Sequence, residues 1–99
     1  MALIISKKIL LKLQQKHGVG KDDVIQCFAN RGHSFLEDTR EDHKTDPVTK
    51  WFIAETDFGR KLKVAFVMDD KGDIYLKTAY PANCIEKHIY KNHAKTLDD

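Results

Sequence analysis

The hydrophobic period of the chain changes near Ser34, and this change limits the fold more than any other feature of the sequence. Before Ser34, apolar residues recur at the three- and four-residue spacing of amphipathic helices. After it, β-branched and aromatic residues gather in short runs that are typical of strands. The chain has 99 residues, which is enough for one hydrophobic core. Helices followed by strands in a single domain, residues 1–99, predict the α+β class.

The helical part is expected to form a hairpin of two helices. Ser6 can cap a first helix over residues 7–17, and Gly18 suits the left-handed residue that ends it. A second helix is predicted over residues 21–30, because acidic residues occupy its first turn, where the helix dipole favours them. Its apolar side chains are expected to face the first helix: Val24, Ile25 and Phe28.

The later part of the chain predicts an antiparallel sheet of four strands. The predicted ranges are 34–38, 51–56, 60–69 and 73–80. A three-residue hairpin loop, with Gly72 at positive φ, sets the register of the last two strands. This register pairs apolar residues on one face: Met68 with Ile74, Phe66 with Leu76, and Val64 with Thr78. Lys63 and Lys77 then point away from the helices.

The turn between the second and third predicted strands leaves two registers open. A three-residue loop over residues 57–59 places Phe52 and Ala54 in the core. A two-residue loop reverses that assignment, although it requires positive φ at a residue such as Phe58.

A final helix is predicted after Pro81, which ends the last strand. Asn83 with Glu86 three residues later resembles a capping box, and the helix should end near Ala94. The expected order is therefore α-α-β-β-β-β-α, an antiparallel sheet with helices mainly on one face.

Composition excludes several classes of protein. The chain is 41% hydrophobic and 32% charged, which is too apolar for disorder, and its apolar runs are far shorter than the ~20 residues of a membrane-spanning helix. Cys27 and Cys84 lie far apart without the spacing of a zinc knuckle, so reduced thiols and a cytoplasmic location are expected. The histidines share no spacing that indicates a metal site, and we expect no metal or organic cofactor.

Charge is nearly balanced overall, at +2, but it is unevenly distributed. Residues 1–35 carry +4, residues 36–56 carry −3 and residues 57–97 carry +3. Two basic regions that flank an acidic connector permit an anionic partner such as RNA, although the net charge alone would not argue for one.

Several short motifs resemble one known family when they are taken in order. They are Lys16-His17-Gly18-Val19 before Asp22-Asp23, Gly59-Arg60 before a long apolar strand, and Thr78-Ala79 followed by Ala82, Glu86 and Tyr90. This set, which extends from Leu10 to Tyr90, resembles the BrnT branch of the RelE-like toxins. The resemblance implies a RelE-like fold, a bacterial type II toxin–antitoxin ribonuclease, RNA as substrate and an antitoxin protein as partner in a heteromeric complex.

Two departures from the family pattern affect the expected site. Tyr80 stands where the family usually has an arginine at the end of the last strand. The segment from Phe35 to Lys50 is longer and more charged, and looks closer to small bacterial proteins labelled ADP-ribosyl-dinitrogen reductase hydrolase. The sequence contains neither the two-metal carboxylate site of that enzyme nor a recognisable nucleotide pocket.

Metal-independent cleavage of RNA needs a base, an acid and a cation beside the phosphate. Residues 37–44, which we call the charged loop, contain all three kinds of group. We predict Glu37 as a base, Arg40 as the phosphate-binding group and His43 as acid or base. Backbone contacts and base stacking are predicted from Arg60, Lys61, Lys63, Tyr75, Lys77 and Tyr80. Trp51 can stack on a base or belong to the core.

Each of these assignments has a structural alternative. The charged loop can be a solvated connector whose Arg40 makes local ion pairs, and strand lysines can serve solubility alone. If the loop carries no chemistry, the site should be sought at His17, Arg60 and Tyr80. A second function also stays open, a catalytically inactive module that binds protein or nucleic acid on the same scaffold.

Overall fold

A computed structural model describes residues 2–38 and 47–95 of the chain. These two ranges contain three helices and five strands. The elements are β1 (Leu3–Ile4), α1 (Lys7–His17), α2 (Lys21–Ala29), β2 (Leu36–Glu37), β3 (Lys50–Glu55), β4 (Lys61–Met68), β5 (Ile74–Pro81) and α3 (Cys84–His93). The protein is thus a small α+β domain, as the change of hydrophobic period predicts.

The sheet is mixed, so the expectation of a purely antiparallel sheet is corrected. Its strand order is β1-β5-β4-β3-β2, and β1 pairs in parallel with the start of β5, with Leu3 opposite Ile74. The predicted order of elements lacked this first strand. Two residues are too few to show a strand period, and the pairing of Leu3 depends on a partner more than seventy positions away in the sequence.

The helix ends agree with their capping signals. The Ser6 side chain accepts a hydrogen bond from the backbone N–H of Ile9, and Gly18 ends α1 with φ of 61°.

In α2, Val24 and Cys27 are buried, but Ile25 is 44% exposed, which corrects its predicted place against α1. One residue corresponds to about 100° around a helix, so Ile25 turns away when Val24 faces the core.

The β4–β5 hairpin keeps the predicted register only near its turn. Met68 lies opposite Ile74 and Phe66 opposite Leu76, as expected. Between Phe66 and Ala65 the register shifts by one residue, because Lys77 is an extra residue in β5 that has no partner in β4. The predicted pairing of Val64 with Thr78 is therefore wrong, and Val64 pairs with Ala79.

The β3–β4 turn resolves the open register in favour of the three-residue loop. Thr56 accepts a backbone hydrogen bond at Oγ1 from Arg60 N–H, and its own N–H donates to the Arg60 carbonyl at 2.9 Å. Gly59 adopts φ of 84° inside this loop. Phe52 and Ala54 consequently lie in the core, as that alternative predicted.

The two faces of the sheet have different cover. One face carries the core side chains Phe52, Phe66 and Leu76, and α2 packs on it through Phe28. α1 contacts β5, and its Leu13 belongs to the same buried cluster. We call this the helix-pair face. The opposite face, which we call the α3 face, is covered in part by α3, where Tyr90 contacts the Trp51 ring.

This arrangement corrects the predicted environment of Lys63. Lys63 does point away from α1 and α2, but it lies beneath α3 instead of in open solvent. Among the described residues, no helix has the length and apolar character needed to cross a membrane.

Candidate functional site

A cation, a phenol and a carboxylate meet where α3 begins over the sheet. The Tyr80 hydroxyl donates a hydrogen bond of 2.6 Å to Glu86 Oε2, and Lys63 Nζ lies 3.0 Å from the same oxygen. The side chains of Lys63 and Glu86 are only 13% and 15% exposed. We call these three residues the Lys63 cluster. Their short separations in a largely desolvated place make the interactions stronger than those of a surface ion pair.

The β-bulge in β5 makes this cluster possible. Beyond the bulge, Lys63 lies directly opposite Tyr80, so both side chains project from the α3 face. Without the extra residue Lys77, Tyr80 would pair with Leu62 and point to the helix-pair face. One inserted residue reverses the face of every side chain that follows it in a strand.

The first turn of α3 fixes the orientation of Glu86. Its Oε1 accepts the backbone N–H of Asn83, while Asn83 Oδ1 accepts the backbone N–H of Glu86. Burial by itself would raise the pKa of Glu86, but hydrogen bonds from Tyr80, the Asn83 backbone and Lys63 outweigh it and leave the pKa below its ordinary value. Glu86 is therefore a carboxylate at neutral pH.

Two aromatic rings lie close to the ammonium group of the cluster. Lys63 Nζ lies 4.7 Å from the centroid of the Trp51 ring and 5.8 Å from that of Tyr80. The His17 ring, at the end of α1, lies 5.8 Å from the Tyr80 ring. Trp51 is 8% exposed, so it is a core residue that supports Lys63 and not an open stacking platform.

An open groove of about 460 Å³ along one side of α3 reaches two residues of the cluster, Lys63 and Glu86. We call it the cluster groove. Its described lining comprises Glu37, Asp38, Trp51, Lys63, Asn83, Ile85, Glu86 and Ile89. The groove therefore holds carboxylates and a cation above an apolar wall.

The structure describes one of the three predicted catalytic residues. Glu37 ends β2, is exposed and lines the cluster groove together with Lys63. Arg40 and His43 lie outside the described residues, so their assignments stay predictions. The described chain on either side of them is joined by a hydrogen bond of 2.7 Å from the Asp38 N–H to the Thr49 carbonyl.

Two of the predicted RNA contacts lie next to the β3–β4 turn. The Arg60 guanidinium donates to the carbonyls of His17 at 3.0 Å and Gly18 at 3.1 Å, which satisfies acceptors at the end of α1. Lys61 is exposed and lies 4.0 Å from Glu55. This geometry gives Arg60 a structural task, and its contact with RNA stays a prediction.

Two more of the predicted contacts belong to the part of β5 before the cluster. Tyr75 is 40% exposed, and its hydroxyl donates to Asp69 Oδ2 at 3.3 Å, while the negative charge of Asp69 raises the tyrosine pKa. Lys77 Nζ donates to Thr49 Oγ1 at 3.1 Å. Both side chains belong to the α3 face, as predicted for Lys77.

Glu86 is the site residue that sequence reasoning missed. The capping motif identified it only as a helix-start residue, although that motif also fixes where its carboxylate points. A correct register for Tyr80 would have shown the cluster, but the bulge has no distinct sequence signature.

Among the described residues, no group of three or more His, Cys, Asp and Glu side chains is arranged to hold a metal ion.

The cluster contains one positive charge, which Glu86 balances, and one hydroxyl proton. Lys63 can offset charge on a phosphate, and the Tyr80 hydroxyl can donate a proton where it now donates to Glu86.

No protein-family model matches this chain, and no curated protein matches it in sequence.

Proposed function

We propose that the protein is a metal-independent endoribonuclease of the bacterial toxin type, with a RelE-like fold, that cleaves RNA at the Lys63 cluster. The observation that carries this proposal is that an ammonium group and a phenol both lie within 3.0 Å of one carboxylate oxygen, beside an open groove that Lys63 and Glu86 line. Such a protein would act in the cytoplasm, with an antitoxin protein as its partner.

The reaction consists of one displacement at phosphorus. A base removes the proton from the 2′-hydroxyl, the 2′-oxygen attacks phosphorus, and the bond to the 5′-oxygen breaks. The products are a 2′,3′-cyclic phosphate and a 5′-hydroxyl. Lys63 offsets the charge that grows on the phosphate, and Tyr80 protonates the departing oxygen. Glu37 or His43 is the base in this proposal, and Arg40 binds the phosphate.

The α3 face offers a path for the rest of the RNA strand. Tyr75 and Lys77 precede Tyr80 in β5, and five residues of strand correspond to about 17 Å. A single strand that follows this face can place a base against the exposed ring of Tyr75 and a phosphate near Lys77.

Tyr80→Phe tests the chemistry while it preserves the fold. The change removes one hydroxyl, and Glu86 keeps Lys63 and the Asn83 N–H as partners. We expect the cleavage rate to fall by about two to four orders of magnitude, as for other lost proton donors. Tyr75→Phe removes the same group from a residue whose expected role depends on its ring, and it should cleave like the parent. Equal rates for Tyr80→Phe and the parent would refute the assigned role.

The charged loop needs its own variants. Arg40→Ala should lower the rate by about two to three orders of magnitude, and His43→Ala by about two to four. His88→Ala, an exposed change on α3, is the control. If both loop variants cleave like the parent while Tyr80→Phe does not, the Lys63 cluster acts without the loop.

A second candidate function, binding without catalysis, is supported by the hydrogen bonds and ion pairs that the predicted RNA-contacting residues make within the protein. Lys63, Lys77 and Tyr80 already have partners in the protein, as a module that binds without catalysis would allow. This candidate is a binding domain for protein or nucleic acid on the same scaffold. RNA binding without cleavage by the purified parent at high concentration would favour it.

A further inference from the structure

A second and larger groove lies on the other side of α3, apart from the Lys63 cluster, and shares only Lys61 with the predicted RNA contacts. It has a volume of about 830 Å³, which is in the range of small-molecule sites. We call it the lysine groove. Its described lining comprises Asn30, Gly32, His33, Ile53, Ala54, Glu55, Thr56, Asp57, Lys61, Lys87, Tyr90 and Lys91.

The charges of this groove are arranged to receive an anion on the α3 side. Asp57 accepts a hydrogen bond from the Asn30 side chain at 2.9 Å, and Glu55 lies 4.0 Å from Lys61. Both carboxylates of the groove therefore have partners within the protein. Lys87 and Lys91 stand one turn apart on α3, and no ion pair among the described residues involves either of them.

The floor of the groove suits a flat apolar group. Tyr90 is 6% exposed and donates its hydroxyl to the Ser34 carbonyl at 2.9 Å, which fixes the ring. The exposed His33 ring lies edge-on to it, with 5.9 Å between the centroids. Ile53 completes this floor. The exposed ring of His33, which the buried Tyr90 ring contacts edge-on, can stack against a planar base.

We infer that the lysine groove is a binding site for a mononucleotide, with the base against the His33 ring and the phosphate between Lys87 and Lys91. A phosphate monoester carries nearly two negative charges at neutral pH, which matches two lysines in reach of each other. The site is separate from the Lys63 cluster, so the inference does not depend on the proposed ribonuclease activity.

Titration of the full-length protein with adenosine monophosphate tests this inference. Trp51 is the single tryptophan of the chain, and its ring centroid lies 5.7 Å from that of Tyr90, so its fluorescence should change when the groove is occupied. Trp51 also lines the cluster groove, so the variants below assign the site. Adenosine, ribose 5-phosphate and inorganic phosphate are titrated separately. We expect the nucleotide to bind more tightly than each of the three, and its affinity to fall as salt rises.

Matched lysine pairs locate the bound nucleotide. The double variant Lys87→Gln/Lys91→Gln should weaken binding by about tenfold or more, because it removes both charged donors. The control is Lys12→Gln/Lys16→Gln, an exposed pair with the same spacing on α1, which should bind like the parent. Thermal unfolding of both double variants shows whether each is folded.

Three results would overturn the inference. They are no saturable binding of the nucleotide at millimolar concentration, equal binding by the Lys87→Gln/Lys91→Gln variant and the parent, or loss of binding in Tyr80→Phe with full binding in the lysine variant. The last result would assign the nucleotide to the cluster groove. Because none of these measurements uses RNA cleavage, they are independent of the ribonuclease tests.

Discussion

Lys63→Met and Glu86→Gln, made singly and together, measure how much the partly buried ion pair stabilises the fold. The two side chains are 13% and 15% exposed, with 3.0 Å between Nζ and Oε2. Methionine keeps the apolar part of the lysine side chain, and glutamine keeps an oxygen that can accept from Tyr80. The double-mutant cycle then isolates the interaction between the two charges.

The expected coupling energy is about 1–2 kcal/mol. Hydrogen bonds to charged groups contribute about 1.5–3 kcal/mol, whereas exposed ion pairs contribute about 0–1 kcal/mol. The partial burial of this pair places it between these ranges, and its desolvation cost lowers the net value. Lys61→Met with Glu55→Gln is the matched control cycle, since that pair is 4.0 Å apart and both side chains are 54% exposed. The control coupling should be below about 0.5 kcal/mol.

Urea unfolding at pH 7 and at lower pH supplies the assay. The folded-state pKa of Glu86 is below its ordinary value of 4.5, so its contribution to stability is present above pH 4.5 and is lost as pH falls through the folded-state pKa. Glu86→Gln should remove that part of the acid sensitivity. Coupling energies that are equal in the two cycles would refute the claim that burial strengthens the Lys63–Glu86 interaction.

Three further predictions concern the thiols, the core and one turn. Burial raises the pKa of the Cys27 thiol to about 12, and Cys84 is exposed, so iodoacetamide should add once to the native protein and twice to the unfolded protein, as measured by mass. Phe66→Ala should lower the free energy of unfolding by about 3–5 kcal/mol, whereas Phe58→Ala, at a residue that is 87% exposed, should change it by less than about 0.5 kcal/mol. Gly72 adopts φ of 86°, so Gly72→Ala should cost about 1–2 kcal/mol in urea unfolding.

Features with local causes could be predicted from the sequence. The bounds of α1 follow from Ser6 and Gly18, and the start of α3 follows from Asn83 and Glu86, because a helix cap involves residues within one turn. The strand β1 could not be predicted in this way. Its pairing with β5 depends on the folded position of Ile74, which no local pattern encodes.

The candidate site could be predicted only in part. Lys63, Tyr80 and Glu37 were identified by residue type, and the first two meet in the cluster while Glu37 lines its groove. Their meeting depends on the bulge at Lys77, which leaves the pairs near the turn unchanged and shifts those beyond it. Sequence patterns near a hairpin turn indicate the register of the pairs next to the turn, but not that of the pairs beyond a bulge.

Metal-independent cleavage at the Lys63 cluster can be tested by incubating the purified protein with a single-stranded RNA in excess EDTA and identifying the product ends. We expect cleavage that chelation does not reduce, with 2′,3′-cyclic phosphate and 5′-hydroxyl ends. Tyr80→Phe should make the same products at least about a hundredfold more slowly. Intact RNA after prolonged incubation at high protein concentration, or cleavage that stops when EDTA is added, would contradict the proposed reaction.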